Sequence, residues 1–412
     1  MSHIILYNAH QENQDASFML SGSKSISHRL LIINYLSKLD TKFENISESE
    51  DTMLLKEALY TQNDLIYVKQ SGTVLRFLIS LFAYENRNVT ITGKKSLFRR
   101  PLKYLIESLE KLGANIKQHN NKIIIEYCNL RSGSISFQKM YTSQFVSSIL
   151  LISPYLPSGI TLKLPPELLS LPYIKMTVKI MANCGSNLTW KENVIKVLNK
   201  GYSDVVKTVE SDWTSASYLF LSFAFSNLKK IRISSLYKDS LQPDKIIVDF
   251  FALLGIQTQF YSDHIFLNKI IELNIPQKIV WDFNQNPDVF PTIVVACLGF
   301  NIDLCATGIE SLKYKESNRV QSMISEAKKF NCFFEIKRDN QLLVRPCKKS
   351  IMKKKQLIII NSHDDHRVAL AFSTLVLLDW KLQIDNPSVI NKSYPNYWSD
   401  LIKFGVRIEN FE

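Results

Sequence analysis

The run Gly22-Ser23-Lys24-Ser25-Ile26-Ser27-His28-Arg29 sets a glycine, several hydroxyls and two cations ahead of the apolar stretch 30–36. A helix starting there presents free N–H groups and the positive end of its dipole, which attract anions. The pattern is near a phosphate-binding P-loop, but Ser23 stands where G-K-[ST] needs glycine. Gln70-Ser71-Gly72-Thr73-Val74-Leu75-Arg76 repeats the arrangement, with Arg76 expected in the first turn of a helix. Arg99-Arg100-Pro101 is expected to open a third. An arginine at a helix start opposes the dipole, and a nearby anion explains it. Thr142-Ser143-Gln144 precedes the apolar residues 145–152, and Ser170-Leu171-Pro172-Tyr173 opens another helical pattern. Such groups serve sugar-like hydroxyls and phosphate oxygens, or act as plain N-caps.

The second half mixes acids with bases. Asn286-Pro287-Asp288 opens a helix with an acid. In Lys313-Tyr314-Lys315-Glu316-Ser317-Asn318-Arg319, Lys315 and Arg319 stand at i, i+4, expected on one helix face with Glu316 between them in sequence. His363-Asp364-Asp365-His366-Arg367 leads into the apolar residues 368–378, and Lys392 is expected in a loop before Tyr394-Pro395. A carboxylate among cations is what proton transfer on an anionic substrate requires. His363 and His366 form an H-x-x-H pair without the H-E-x-x-H pattern or a third ligand, so no metal is expected.

The bulk numbers restrict the class. The 412 residues are 46% hydrophobic and 21% charged, an ordinary globular composition with room for two or three domains. No apolar stretch approaches the roughly 18 residues of a membrane span, and no basic segment leads into an apolar run at the start, so a cytoplasmic protein is expected. Cys128, Cys184, Cys297, Cys305, Cys332 and Cys347 stand singly, which argues against disulfides and a zinc site. The net charge of +12 fits any polyanion, or merely a lysine-rich surface.

The elements that must position these residues recur. In residues 101–116, Leu102, Leu105, Ile106, Leu109 and Leu112 mark one helix face, Pro101 fits a first turn and Gly113 fits the left-handed position past the end. A hairpin about Asn120-Asn121 follows. The same sequence of signals returns at Gly185, Gly255, Asn331 and Gly405, at intervals of 72, 70, 76 and 74 residues. A spacing this constant predicts a repeated supersecondary unit. The last unit ends at Glu412 without its second hairpin strand, and residues 4–7 are expected to supply it, making that domain discontinuous.

Taken in order from Gly22 to Lys392, these motifs resemble the 5-enolpyruvylshikimate-3-phosphate synthase (3-phosphoshikimate 1-carboxyvinyltransferase) family. The resemblance implies an α/β (α+β) fold of two similar domains. Each has three β-α-β-α-β-β units about an approximate threefold axis, an inside-out barrel, with the active site in the interdomain cleft. The domains are placed at 1–19 plus 213–412 and at 20–212. The resemblance further implies that Lys24 touches both substrates. Ser25, Arg29, Thr142, Ser143, Ser170, Tyr173, Asp288, Ser311 and Lys315 then bind shikimate 3-phosphate. Gly72, Arg100, Gln144, Arg319, Arg367 and Lys392 bind phosphoenolpyruvate. Asp288 accepts the proton of the attacking hydroxyl; Glu316, with Lys315 beside it, protonates the methylene carbon. Addition then elimination releases phosphate, with no cofactor and no metal. The expected partners are these two small molecules, with no nucleic acid or membrane, acting on a cytoplasmic monomer.

The sequence departs from the family pattern in places. N-A-G-T reads Gln70-Ser71-Gly72-Thr73, Phe77 stands for a proline, Thr142 for a serine and Ser311 for an asparagine. The usual E-G-D-x-S-S-A reads Glu210-Ser211-Asp212-Trp213-Thr214-Ser215-Ala216, and the first repeat is short around residues 60–64. The sister transferase acting on UDP-N-acetylglucosamine typically carries a reactive cysteine in the loop corresponding to residues 93–99, which has none here. A basic RNA-end-processing or RNA-binding protein of related fold would share the charge, yet no aromatic-rich RNA motif occurs.

Overall fold

The computed structural model describes all residues except 1, 11–14, 139–140, 168, 271–273, 338–339, 347–355 and 412. Cys347 lies outside the described residues; among the described residues the other five cysteines form no disulfide with one another. The chain divides into two compact units, Met1–Ser21 with Glu210–Glu412, and Gly22–Val209.

Among the described residues, five four-stranded sheets share one topology. In one of them Lys278–Asp282 runs parallel to Asp303–Thr307, which pairs antiparallel with Leu342–Arg345, itself antiparallel to Phe333–Ile336. The discontinuous unit holds three such sheets and the Gly22–Val209 unit two. The hairpins have the expected caps. Gly113, Gly185, Gly255, Asn331 and Gly405 all have positive φ, between 58° and 104°. Glycine adopts that region freely and asparagine at modest cost, so the chain can leave each helix and reverse into a strand.

The sixth repeat differs. Helix Glu50–Tyr60 passes through residues 61–64 directly into strand Leu65–Tyr67, with no hairpin between them. Its remaining strand pairing is a single parallel bridge, Glu44 to Thr208. The short first repeat seen in the sequence is this missing hairpin.

The N-terminal strand is placed as expected. His3–Asn8 pairs antiparallel with Val406–Phe411 on one side and Lys381–Asp385 on the other. Its alternation puts Ile4 and Leu6 into the core.

Within each unit three helices pack on one another and are buried nearly all round. They are Lys24–Ser37, Gly72–Tyr84 and Gln144–Ile152 in one, and Trp213–Phe225, Phe290–Gly299 and His366–Ser373 in the other. Helices apolar on every face belong in an interior, with sheets outside them. Sequence chemistry therefore concentrates at their ends, where polar groups are tolerated. Lys24, Gly72 and Gln144 are each the first residue of a central helix.

Candidate functional site

In the Gly22–Val209 unit, two arginines converge on Gly72. A Cβ at Gly72 would lie 2.5 Å from Arg100 Nη1 and 2.7 Å from Arg76 Nη1. Only the missing side chain admits both guanidinium groups against the backbone at this helix start. Arg76 Nη1 donates to Gln144 Oε1 at 2.6 Å, and Gln144 Nε2 donates to Thr73 Oγ1 at 2.8 Å. Helix Gly72–Tyr84 is thus joined to the first residue of helix Gln144–Ile152 through Thr73 and the buried Arg76. The Gln144 amide N–H donates to Thr142 Oγ1 at 3.3 Å. Two cations, a helix N-terminus and an amide in one place form an anion-binding arrangement.

In the same unit, Lys24 Nζ lies 3.0 Å from Asp51 Oδ2. Arg29 is buried and donates through Nε to Thr177 Oγ1 at 2.7 Å and through Nη1 to the Ser25 carbonyl at 2.7 Å. Its Nη2 donates to Ser147 Oγ at 3.2 Å and the Tyr173 carbonyl at 3.4 Å. Among the described residues no carboxylate pairs with it. Burial pulls its pKa down to about 9, partly offset by Tyr173, which still leaves a cation at neutral pH. Ser143 and Ser170 are buried, and Ser170 takes left-handed backbone with φ 57°.

In the other unit, Arg319 is wholly buried and meets three carboxylates. Its Nε and Nη2 donate to Asp365 at 2.9 and 3.3 Å, its Nη1 to Asp288 Oδ1 at 3.1 Å and its Nη2 to Glu316 Oε2 at 2.7 Å. Asp288 is further bound by Lys315 at 3.2 Å and by Arg367 at 3.0 Å, and Glu316 by Lys392 at 3.2 Å. Burial alone would raise the Asp288 pKa. The charges of Arg367, Lys315 and Arg319 outweigh it and hold the carboxyl far below the usual range. Burial lowers the Lys315 pKa, opposed by Asp288. Burial would also lower Arg319 and Arg367, but the surrounding carboxylates raise both instead. Ser311 is buried, and among the described residues its hydroxyl has no hydrogen-bond partner.

Several placements differ from expectation. Lys315 and Arg319 do not share a helix: Lys315 ends a 3₁₀ turn in extended backbone, and the helix begins at Arg319 with Asn318 as its cap. The Asn318 side chain accepts the Gln321 amide N–H, which breaks the helical run between them. Both cations nevertheless reach the same oxygen of Asp288. Arg76 is the fifth residue of its helix, not in the first turn. Arg99, Arg100 and Pro101 lie between helices Lys95–Phe98 and Lys103–Glu110 and open neither. Lys392 ends the 3₁₀ helix Pro387–Lys392.

Three residues went unassigned in the sequence. Asp51 pairs with Lys24, and nothing in its spacing announces that. Arg76 was visible as a basic residue near a helix start, though not as the holder of Gln144. Asp365 was legible as an acid just ahead of a helix. Its carboxylate caps the Arg367 amide N–H at 3.1 Å while gripping Arg319.

A cavity of about 670 Å³ lined by Tyr35, Tyr60, Tyr84, Lys38 and Glu85 opens at the opposite, C-terminal ends of three helices and shares none of these residues. Among the described residues no group of three His, Cys, Asp or Glu could hold a metal ion, and no helix is long and apolar enough to cross a membrane.

A family profile described as EPSP synthase (3-phosphoshikimate 1-carboxyvinyltransferase) matches residues 55–401. The chain belongs to the EPSP synthase family. A 3-phosphoshikimate 1-carboxyvinyltransferase of Bacteroides fragilis is 34% identical over 400 residues, covering 95% of this chain and 96% of that protein. One from Methanobrevibacter smithii is 28% identical over 430 aligned residues, with 94% and 95% covered. Among solved structures, an EPSP synthase from Acinetobacter baumannii matches with a TM-score of 0.72 at 18% identity over the whole of both chains. The enolpyruvyl transferase NikO from Streptomyces tendae matches at 0.70 and 12% identity, covering 100% of this chain and 99% of that one. At such identities the structural matches speak for the fold: two similar domains of repeated units, as expected, with one repeat shortened.

Proposed function

We propose that this chain transfers the enolpyruvyl group of phosphoenolpyruvate to the 5-hydroxyl of shikimate 3-phosphate, releasing phosphate by addition and elimination. This is the activity carried in the name of relatives that match across 95% of the chain. The observation that carries the mechanism is that Asp288 and Glu316 share one buried guanidinium, Arg319, among three further cations.

In this reading Asp288 is the base. Its cations keep it ionised in the free protein. An incoming phosphate or carboxylate draws those cations away, which raises the basicity of Asp288 as the substrate hydroxyl arrives. Glu316, between Arg319 and Lys392, is the donor to the methylene carbon, with Lys315 close by and Lys24 touching both substrates. Arg319, Arg367 and Lys392 hold phosphoenolpyruvate, joined by Gly72, Arg100 and Gln144. Ser25, Arg29, Thr142, Ser143, Ser170, Tyr173 and Lys315 hold shikimate 3-phosphate, and the unpartnered Ser311 hydroxyl is available to it. Fixed cations offset the charge of the departing phosphate without reorganising. The chain works in this reading as a cytoplasmic monomer on two small molecules, without cofactor, metal, nucleic acid or membrane.

The test is phosphate release by purified protein supplied with phosphoenolpyruvate and either shikimate 3-phosphate or UDP-N-acetylglucosamine. Release with the first acceptor alone is expected. Release with the second, or with neither from a folded sample, overturns the reading.

A further inference from the structure

The two residues ahead of Asp365 have backbone that favours glycine. His363 has φ 52° and Asp364 φ 55°, two consecutive left-handed residues that both carry side chains. Such backbone is costly for L-residues and persists where its surroundings enforce it. The turn is bonded to Glu326, almost wholly buried near the end of helix Arg319–Lys328. Its Oε1 lies 2.8 Å from His363 Nε2, and its Oε2 accepts the Asn361 amide N–H at 3.0 Å and Lys329 Nζ at 2.7 Å. Asn361 Oδ1 in turn accepts the His363 amide N–H at 2.7 Å, and Asn386 Nδ2 donates to Asp364 Oδ1 at 3.1 Å.

This helix starts with Arg319, which Asp365 grips. One helix is therefore stitched to one loop at two points, Arg319 to Asp365 and Glu326 to Asn361 and His363. They stand seven residues apart, roughly two helical turns. The loop between the stitches runs into helix His366–Ser373, whose N-cap is Asp365 and whose second residue is Arg367. Nothing in the chemistry assigned above uses Glu326, yet it bonds to the turn that leads into Asp365 and the helix carrying Arg367.

We propose that Glu326 is a positioning residue. By holding the His363–Asp364 turn in its left-handed form, it sets where Asp365 and Arg367 stand relative to Arg319. The inference rests on the assignment of Arg319 and Arg367 to phosphoenolpyruvate.

The experiment compares steady-state kinetics of Glu326→Ala, His363→Ala, His363→Gly and Arg367→Lys, each checked for folding by thermal melting. His363→Ala removes the bond to Glu326 but keeps a side chain at positive φ. His363→Gly removes the bond and the need for it, because glycine adopts that φ unaided. Glu326→Ala and His363→Ala are expected to raise KM for phosphoenolpyruvate roughly tenfold, short of the hundredfold that an ångström of misplacement can cost. KM for shikimate 3-phosphate and kcat should change much less, and His363→Gly should stay near the parent protein. A merely structural Glu326 would lower the melting temperature without raising KM for phosphoenolpyruvate selectively over KM for shikimate 3-phosphate. Equal KM values for His363→Ala and His363→Gly overturn the proposal, as does a folded Glu326→Ala with unchanged KM. Should Glu326→Ala fail to fold, the pair at 363 decides alone. Arg367→Lys separates the two readings. If it leaves KM for phosphoenolpyruvate unchanged, the site assignment fails. If it raises KM and the others do not, only the role of Glu326 fails.

Discussion

Arg319 gathers three carboxylates at full burial, and the arrangement makes each of them answerable to mutation in a different way. Asp365 meets it through two nitrogens and also caps a helix, so its loss disturbs structure. Asp288 and Glu316 each keep contacts to other cations, so an isosteric change there removes charge while leaving packing in place. Asp288→Asn and Glu316→Gln are therefore expected to lower kcat by about 10²–10⁴, the worth of a positioned proton-transfer group. Substrate affinity, measured by fluorescence titration, should change little. Full turnover in either variant removes that residue from the chemistry. His28 poses a different problem at this scale. It is wholly buried, Nε2 lies 3.2 Å from Thr52 Oγ1, and burial lowers its pKa from 6.5 to about 3. The unfolded chain takes up the proton first, so stability falls as pH drops below about 6.5 and goes on falling towards 3. His28→Asn removes that dependence. Urea unfolding should find the stability gap between the two proteins narrowing from pH 7 to pH 4.5, and a constant gap would contradict the burial argument. The sequence placed His28 in an anion-binding run but could not give its burial, because its partner Thr52 comes from another helix, Glu50–Tyr60.

At the scale of elements, the sequence was most readable where backbone geometry restricts residue choice. Five helix ends could be marked from Gly113, Gly185, Gly255, Asn331 and Gly405 because positive φ admits few residues. The pairing of the N-terminal strand followed from counting what the last repeat lacked. The helix assumed across Lys315 and Arg319 failed for an equally local reason, the competition of the Asn318 side chain for the backbone. Long-range partners such as Asp51 for Lys24 leave no periodic trace, and those were missed. Gly72 shows how an element can owe its residue to neighbours from elsewhere in the chain. Its helix could begin with alanine as far as φ is concerned, but the added methyl would meet Arg100 and Arg76 at 2.5 and 2.7 Å. Gly72→Ala must push at least one guanidinium aside. KM for phosphoenolpyruvate is expected to rise by roughly tenfold, the effect of losing one charge-assisted bond at about 1.4 kcal/mol. Thermal stability should hardly change. An unchanged KM would mean that the two arginines do not serve that ligand.

For the molecule as a whole, the chain leaves one unit and returns to it at a single pair of adjacent crossings. On the discontinuous side, the Asp212 amide N–H donates to the Ser21 carbonyl at 3.2 Å and Ser211 Oγ to the Leu20 carbonyl at 2.8 Å. On the inserted side, the Val209 amide N–H donates to the Glu44 carbonyl at 3.0 Å and Asn45 Nδ2 to the Val209 carbonyl at 2.9 Å. The discontinuous unit thus ties its chain ends to each other and the inserted unit anchors its last residue on residues 44–45; each has its own three buried helices and roughly two hundred residues, enough for an independent core. Residues 22–209 expressed alone should unfold in urea as one cooperative transition, followed by circular dichroism. Residues 1–21 joined to 210–412 through a short glycine-serine linker should do the same. On the proposed residue assignment neither piece releases phosphate, since Lys24, Arg100 and Gln144 belong to one and Asp288 and Glu316 to the other. The inserted unit is the harder case, because its first repeat lacks the hairpin that the other five carry. A broad, non-cooperative transition for 22–209 beside a sharp one for the other piece would mean that this shortened repeat cannot complete a core by itself, and that the inserted unit folds only with the rest of the chain.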